Sequence, residues 1–250
     1  YDFKALQLRK EILGENHTEV SASYNNIGIV YDSNGEYDKA LEYYFKALQT
    51  DKEIFGDKHP YVAASFDNIG IVYEKKGEHN KALEYGFKAL QLRKEILGEN
   101  HTEVANSYNN IGLVYGEKGE LDKALDYYLK SLRINEEVLG EEYPEVAASY
   151  ENIGNVYYYK SEYNKALEYY FKALQIYKEI YSEIHPVVAA GYDNIGSVYN
   201  DKGAYDKALE YHFKAMKIRK EILGEKHPDM AASYNNIGIA HDDQGSYEKA

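Results

Sequence analysis

Eight histidines are the residues of this 250-residue chain best suited to bind a metal ion or act as a base. Zinc ligands must converge within about 2 Å of one ion. Equivalent positions in neighbouring packed helices lie about 10 Å apart. Because five of the eight recur at steps of 42 residues or its multiple, they are predicted to be turn or helix-cap residues, and no metal site is expected. The five are His17, His59, His101, His185 and His227, with Tyr143 at the sixth place.

The remaining chemistry-bearing residues form no catalytic pattern. His79, His212 and His241 replace aromatic residues, and the serines recur as scaffold residues rather than as one asymmetric nucleophile–base pair. The recurrent N-I-G glycines fit neither G-x-G-x-x-G nor a P-loop. The chain has no cysteine, which excludes disulfides and cysteine-ligated metals. We predict a non-catalytic protein without a cofactor.

The same 42-residue step organises the whole sequence. YDKALEYYFKAL at Tyr37 returns as HNKALEYGFKAL at His79 and as YNKALEYYFKAL at Tyr163. SYNNIG at Ser23 returns five times with small changes, the last at Ser233. Internal repeats at a fixed period predict a repeat architecture of about six units.

Each repeat is predicted to contain two helices. Apolar residues fall at helical spacing along one face of each helix, Pro60 suits a first helical turn, and glycines mark the ends at Gly56 and Gly77. One helix pair cannot bury its apolar stripe alone, whereas stacked pairs can. The expected fold is all-α, a right-handed α-solenoid of antiparallel helix pairs. A single array is expected over residues 1–250, cut at both ends within a second helix, as a fragment of a longer array would be.

The residues Tyr24, Ile27, Gly28, Tyr31, Ala40, Tyr44 and Ala47 resemble the tetratricopeptide repeat (TPR) pattern in order and spacing. The period of 42 exceeds the usual TPR period of about 34. The longer second helix and the LGEKHP turn at Leu223 resemble the kinesin light chain type of repeat. This resemblance implies an adaptor for protein partners.

The charge of the chain narrows the class of partner. A formal net charge of −13 argues against binding to nucleic acid or to an anionic membrane. The second-helix segments sum to +4 and the remaining segments to −17. No apolar run is long enough to span a bilayer. These features predict a soluble, cytoplasmic protein with an acidic surface on the first helices.

The TPR resemblance implies that the first helices line a concave groove, and helical spacing then selects the residues that face it. Ile29, Ile71, Leu113 and Ile239 form a predicted apolar spine along an acidic groove. The expected partner is a protein or peptide segment with basic and apolar side chains. The other predicted groove residues are Asn25, Asn26, Asp32, Asp67, Asn68, Glu74, Asn109, Asn110, Glu151, Asn152, Asn155, Tyr158, Asp193, Asn194, Ser197, Asn200, Asn235 and Asn236.

Several alternatives stay open at this point. The acidic face can be a solvated surface, with the spine touching neighbouring helices. The asparagine series from Asn26 to Asn236 can hold the backbone of a bound peptide, or form a hydrogen bond to neighbouring backbone within the helix stack. The chain can also associate end to end through Ala250, or regulate an effector domain elsewhere in a larger protein.

Overall fold

The computed structural model describes residues 2–245. Within that range the chain forms twelve α-helices and no strand, which confirms the predicted all-α class. The helices are α1 (Asp2–Leu13), α2 (Thr18–Ser33), α3 (Tyr37–Phe55), α4 (Pro60–Lys75), α5 (His79–Leu97), α6 (Thr102–Glu117), α7 (Leu121–Leu139), α8 (Pro144–Tyr159), α9 (Tyr163–Tyr181), α10 (Pro186–Asp201), α11 (Tyr205–Leu223) and α12 (Asp229–Asp243).

Helix ends follow the predicted local chemistry. Pro60 occupies the first turn of α4, where its missing N–H has no intrahelical partner to lose. Gly56 ends α3 with a φ of 80°, a left-handed conformation that a side chain would strain. Both predictions are confirmed.

The two helices of a repeat pack through a glycine and an aromatic ring. An ideal Cβ on Gly28 would lie 2.7 Å from the Tyr44 ring, so only glycine allows α2 to approach α3 this closely. Stacked tyrosines add a second contact, with ring centroids 5.6 Å apart for Tyr31 and Tyr43. The N-I-G glycine therefore allows close approach of the two helices in this repeat, and Gly112, Gly154 and Gly196 meet a ring in the same way.

The chain divides into two compact units, residues Tyr1–Ile134 and Asn135–Ala250, here called unit 1 and unit 2. In unit 1, α2 packs on α3 and α4 on α5, and in unit 2, α8 packs on α9 and α10 on α11. Fully buried branched residues such as Ile69 in unit 1 and Ile195 in unit 2 form the cores. A single array over residues 1–250 stays a prediction, and the predicted end-to-end contact at Ala250 lies outside the described residues.

Candidate functional site

The first helices of the repeats expose a row of apolar side chains in unit 1. Ile29 on α2, Ile71 on α4 and Leu113 on α6 are 51%, 41% and 46% exposed. Each lies two residues after a buried isoleucine, which is about 200° around the helix and so on the opposite side from the core. We call the solvent-facing side of α2, α4, α6, α8, α10 and α12 the first-helix surface.

Unit 2 carries polar side chains at two of the three matching positions. Asn155 is half-buried, and its Oδ1 accepts a hydrogen bond from the Tyr170 hydroxyl at 2.6 Å. Ser197 is also half-buried, and Ile239 is exposed. Unit 1 therefore exposes all three of its predicted spine residues, and Ile71 and Leu113 line one pocket, whereas unit 2 exposes Ile239.

Two of the predicted groove acids form ion pairs inside the helix stack. Asp67 Oδ2 lies 2.5 Å from Arg93 Nη1, and both side chains are largely buried. Asp193 pairs with Arg219 and lies 2.8 Å from Nδ1 of the buried His212. Because these carboxylates are already paired with cations, their charge contributes little to attraction of a ligand.

Asp67 and Asp193 are neutralised by their arginine partners, whereas Glu74 and Glu117 carry negative charge on the first-helix surface of unit 1. Partial burial raises the pKa of Glu74 and the nearby Glu117 raises it further, since two adjacent negative charges repel. Among residues 2–245, no lysine or arginine forms a direct ion pair with either carboxylate. Asp32 differs, because Lys75 Nζ of the next repeat lies 2.6 Å from its Oδ2.

The asparagines of the series from Asn26 to Asn236 differ in burial and in hydrogen bonding from one repeat to another. Asn194 donates a hydrogen bond at 2.9 Å to Glu151 of the preceding repeat, and Tyr177 donates to the same carboxylate at 3.2 Å. At Asn194 the observed partner belongs to the stack, but it is a side-chain carboxylate and not the neighbouring backbone that was expected. Asn26 is exposed on the first-helix surface, and the half-buried members are Asn68, Asn110, Asn152 and Asn236.

The remaining predicted residues lie near the ends of the first helices or along their sides. Asn200 donates to Asp243 at 2.7 Å, which joins two successive first helices of unit 2. Burial and a hydrogen bond to Asp201 raise the pKa of Tyr158 to about 12. Asn25 and Asn109 are half-buried, and Asn235 is exposed.

A small pocket opens on the first-helix surface of unit 1 because one aromatic residue is missing. The position of Tyr44 is occupied by Tyr128, Tyr170 and His212 in other repeats, and by Gly86 in the second one. The resulting cavity of about 40 Å³ is lined by Gly70, Ile71, Glu74, Gly86, Asn110 and Leu113, among others. Gly86 is not among the predicted site residues, although the aromatic residues at the equivalent position of the other repeats are the signal that identifies it.

The recurrent histidines cap the first helices. Nδ1 of His59 accepts a hydrogen bond from the backbone N–H of Tyr61 at 3.2 Å, and His17, His101, His185 and His227 form the same bond. The interpretation as caps is confirmed for His17, His59, His101 and His185, whereas the N-cap residue of α12 is Pro228 and His227 precedes it. Within residues 2–245, no three His, Cys, Asp or Glu side chains are grouped closely enough to hold a metal ion.

Among residues 2–245, no helix is both long enough and apolar enough to cross a membrane.

Known structures share the fold at low sequence identity. BtubC (BKLC) from P. vanneervenii is similar with a TM-score of 0.75 and 23% identity, over 91% of this chain and 89% of that chain. A kinesin light chain-type protein with nearly identical TPR-like repeats from Podospora anserina gives a TM-score of 0.68 and 19% identity, over 81% and 96% of the two chains. No curated protein matches the sequence at a significant level.

The helix pairs, the N-I-G glycines and the aromatic packing against them agree with a sequence comparison. The tetratricopeptide repeat family model matches residues 4–53, 33–95, 88–137, 103–179 and 187–250. These ranges cover most of the sequence in every repeat, so the chain belongs to the tetratricopeptide repeat family.

Proposed function

We propose that this chain is a non-catalytic interaction scaffold whose first-helix surface in unit 1 binds a basic and apolar segment of a protein partner. TPR arrays serve generally as scaffolds for protein interactions. The observation that supports the specific proposal is the exposed row of Ile29, Ile71 and Leu113 beside Glu74 and Glu117. Contiguous exposed apolar residues mark interaction surfaces, and the two carboxylates favour a cationic partner.

The pocket at Gly86 adds a point of anchorage to this surface. Its volume of about 40 Å³ admits only the leading edge of an apolar side chain. The rest of that side chain would contact the exposed Ile71 and Leu113 at the rim. A partner segment would therefore bind by shape at the pocket and by charge at Glu74. A cysteine-free chain needs no oxidising compartment, and we propose a cytoplasmic location.

Two matched sets of fluorescent peptides test the proposal, one basic and apolar and the other acidic and apolar, each at low and high salt. We expect selective capture of the basic set and weaker capture at high salt, because screening reduces attraction between exposed charges. Equal capture of both sets, or capture of neither, would remove the proposed function.

Variants locate the binding surface. The double substitution Ile71→Ser and Leu113→Ser should reduce affinity about tenfold or more, equivalent to about 1.4 kcal/mol or more. Leu129→Ser is the matched control, since Leu129 is also exposed but lies on the second helix α7. If the control weakens capture as much as the double substitution, the ligand binds elsewhere on unit 1.

A further inference from the structure

The position of Arg9, Arg93 and Arg219 in their repeats is occupied by an acid, Asp51, in one repeat of unit 1. Arg93 and Arg219 each lie between two successive first helices, α4 and α6 for Arg93 and α10 and α12 for Arg219, whereas Arg9 contacts α2. Arg93 donates to Ser107 Oγ at 2.7 Å and also pairs with Asp67 and Glu103. The guanidinium thus joins a hydroxyl and two carboxylates that would otherwise line a gap.

Asp51 leaves that gap open. Its side chain is shorter than that of arginine and is buried, with the residue only 3% exposed. It accepts hydrogen bonds from Ser21 at 2.5 Å and from Ser65 at 3.1 Å. A cleft of about 350 Å³ lies between α2 and α4 beside Asp51, and Asn25 and Asn68 of the first-helix surface also line it.

The residues that line the cleft include two acids, Glu19 and Asp51, and no lysine, arginine or histidine. The Asp51 carboxylate has no lysine or arginine ion-pair partner among residues 2–245. The Oδ1 atom of Asn25 is buried without a hydrogen-bond partner. Glu19 lines the cleft as well, although it is paired with Arg9 at 3.2 Å. A buried carboxylate and an unsatisfied buried oxygen are both costly in water-excluded surroundings, and a cationic donor would relieve both.

We propose that this cleft is a binding site for the guanidinium group of an arginine side chain from the partner segment. This inference rests on the proposed function, because the arginine would come from the bound partner segment. The groups that would bind the guanidinium belong to the cleft itself and do not depend on that function. Three other repeats place their own arginine here, so the surrounding backbone accommodates that side chain. The planar guanidinium presents five N–H donors that match a carboxylate and neighbouring acceptors better than the compact ammonium of lysine does.

The experiment uses the full chain and two small probes, N-acetyl-arginine amide and N-acetyl-citrulline amide. Citrulline has nearly the same shape as arginine but carries no charge. We expect arginine amide to shift the backbone NMR signals of Ser21, Ser65 and Asn68 in a saturable, salt-sensitive way, and citrulline amide to leave them unchanged. Equal shifts with both probes, or with neither, would overturn the arginine site.

Two substitutions at one position and one control separate binding from folding. Asp51→Asn removes the charge with little change of shape, and Asp51→Arg introduces the residue that three other repeats carry, which should fill the cleft. Each should reduce affinity for arginine amide at least tenfold. Glu53→Gln is the matched control, because Glu53 is an exposed acid on the same helix and does not line the cleft. An Asp51→Asn variant that binds arginine amide as the unmodified chain does would overturn the proposal.

The peptide sets then distinguish failure of this site from failure of the proposed function. The basic peptides are prepared in two versions, one with arginine and one with lysine. If the Asp51→Asn variant captures both versions but no longer prefers the arginine version, both proposals are supported. If the preference for arginine is unchanged, the cleft is not the site, although the first-helix surface still binds. If arginine amide binds while neither peptide set does, the cleft stands and the proposed function fails.

Discussion

The pair α4 and α5 in unit 1 and the pair α10 and α11 in unit 2 share most of their interior chemistry but differ in one buried side chain. Both contain an aspartate on the first helix paired with an arginine on the second, Asp67 with Arg93 and Asp193 with Arg219. In unit 2 the His212 ring fills the space over Gly196, 2.7 Å from an ideal Cβ, whereas unit 1 has Gly86 there. One residue thus decides whether the space is part of the core or an open pocket.

A second position shows the same contrast. Unit 2 places Arg219 between its first helices, where it donates to Ser233 at 2.9 Å, whereas unit 1 places Asp51 at that position in one repeat. Both differences leave unfilled space on the first-helix surface of unit 1. In near-identical repeats, departures of this kind therefore identify positions where the packing between helices differs from one repeat to the next.

The largest effect on stability is expected when the aspartate found at position 51 of unit 1 is placed at the equivalent position of unit 2, Arg219. Arg219→Asp leaves Asp193 without its main cation and adds a like charge beside it, so we expect a loss of about 4 kcal/mol in the free energy of unfolding. Urea denaturation measures this loss. Adding Asp193→Asn to Arg219→Asp should recover part of the lost stability, because the effects of two interacting charges are not additive. If the double variant instead loses the sum of the two single-variant losses, the result would contradict the ion pair.

His212→Gly should destabilise the protein by about 3 kcal/mol, since it removes a buried ring and places glycine within a helix. The residue is 2% exposed, so the space left behind should form a pocket like that at Gly86. Thermal unfolding and a crystal structure of the variant measure the two outcomes. His212→Tyr is the control, because tyrosine occupies this position in three other repeats and should retain most of the stability.

Asp51→Asn should increase stability at neutral pH, by about 1 kcal/mol. Burial raises the pKa of Asp51 in the folded protein, so ionisation is less favourable there than in the unfolded chain. That penalty is fully present above the folded pKa and disappears below the ordinary value of 3.8. The advantage of the variant in urea unfolding should therefore shrink as the pH falls; an advantage independent of pH would contradict burial of a charge.

The smallest effect is expected for Gly86→Ala, which should stabilise α5 by about 0.5–1 kcal/mol. An ideal Cβ at Gly86 would lie 3.3 Å from Ile111 Cγ1, so that side chain must move by a few tenths of an ångström. Gly116→Ala is the matched control, because its Cβ would meet nothing within 4 Å. A smaller gain at Gly86 than at Gly116 in thermal unfolding would measure the crowding at Ile111.

Much of the fold could be predicted from sequence because it depends on local patterns that recur every 42 residues. The helix ends at Pro60 and Gly56 and the capping histidines follow from backbone chemistry within a few residues. The exposed positions of Ile29, Ile71 and Leu113 follow from helical geometry and were also predicted.

The charge distribution of the surface was less accessible from sequence. Asp67 and Asp193 were predicted as groove acids, but each pairs with an arginine 26 residues later on the neighbouring helix. That pairing depends on the axial alignment of two helices and on side-chain length, which helical periodicity does not specify. Gly86 and Asp51 are visible in the sequence, yet the size of the spaces they leave depends on how closely the surrounding helices pack.

The lysines above the stacked tyrosines have a consequence for chemical labelling. Lys46 lies 4.6 Å from the centre of the Tyr43 ring, and Lys130 and Lys214 lie over Tyr127 and Tyr211 in the same way. Hydrogen bonds to acidic residues four positions earlier raise the pKa of all three amines. Because acylating reagents attack only the neutral amine, these lysines should react slowly. Their protection would report whether α3, α7 and α11 are each intact, because the ring and the acid that contact each lysine lie on the same helix.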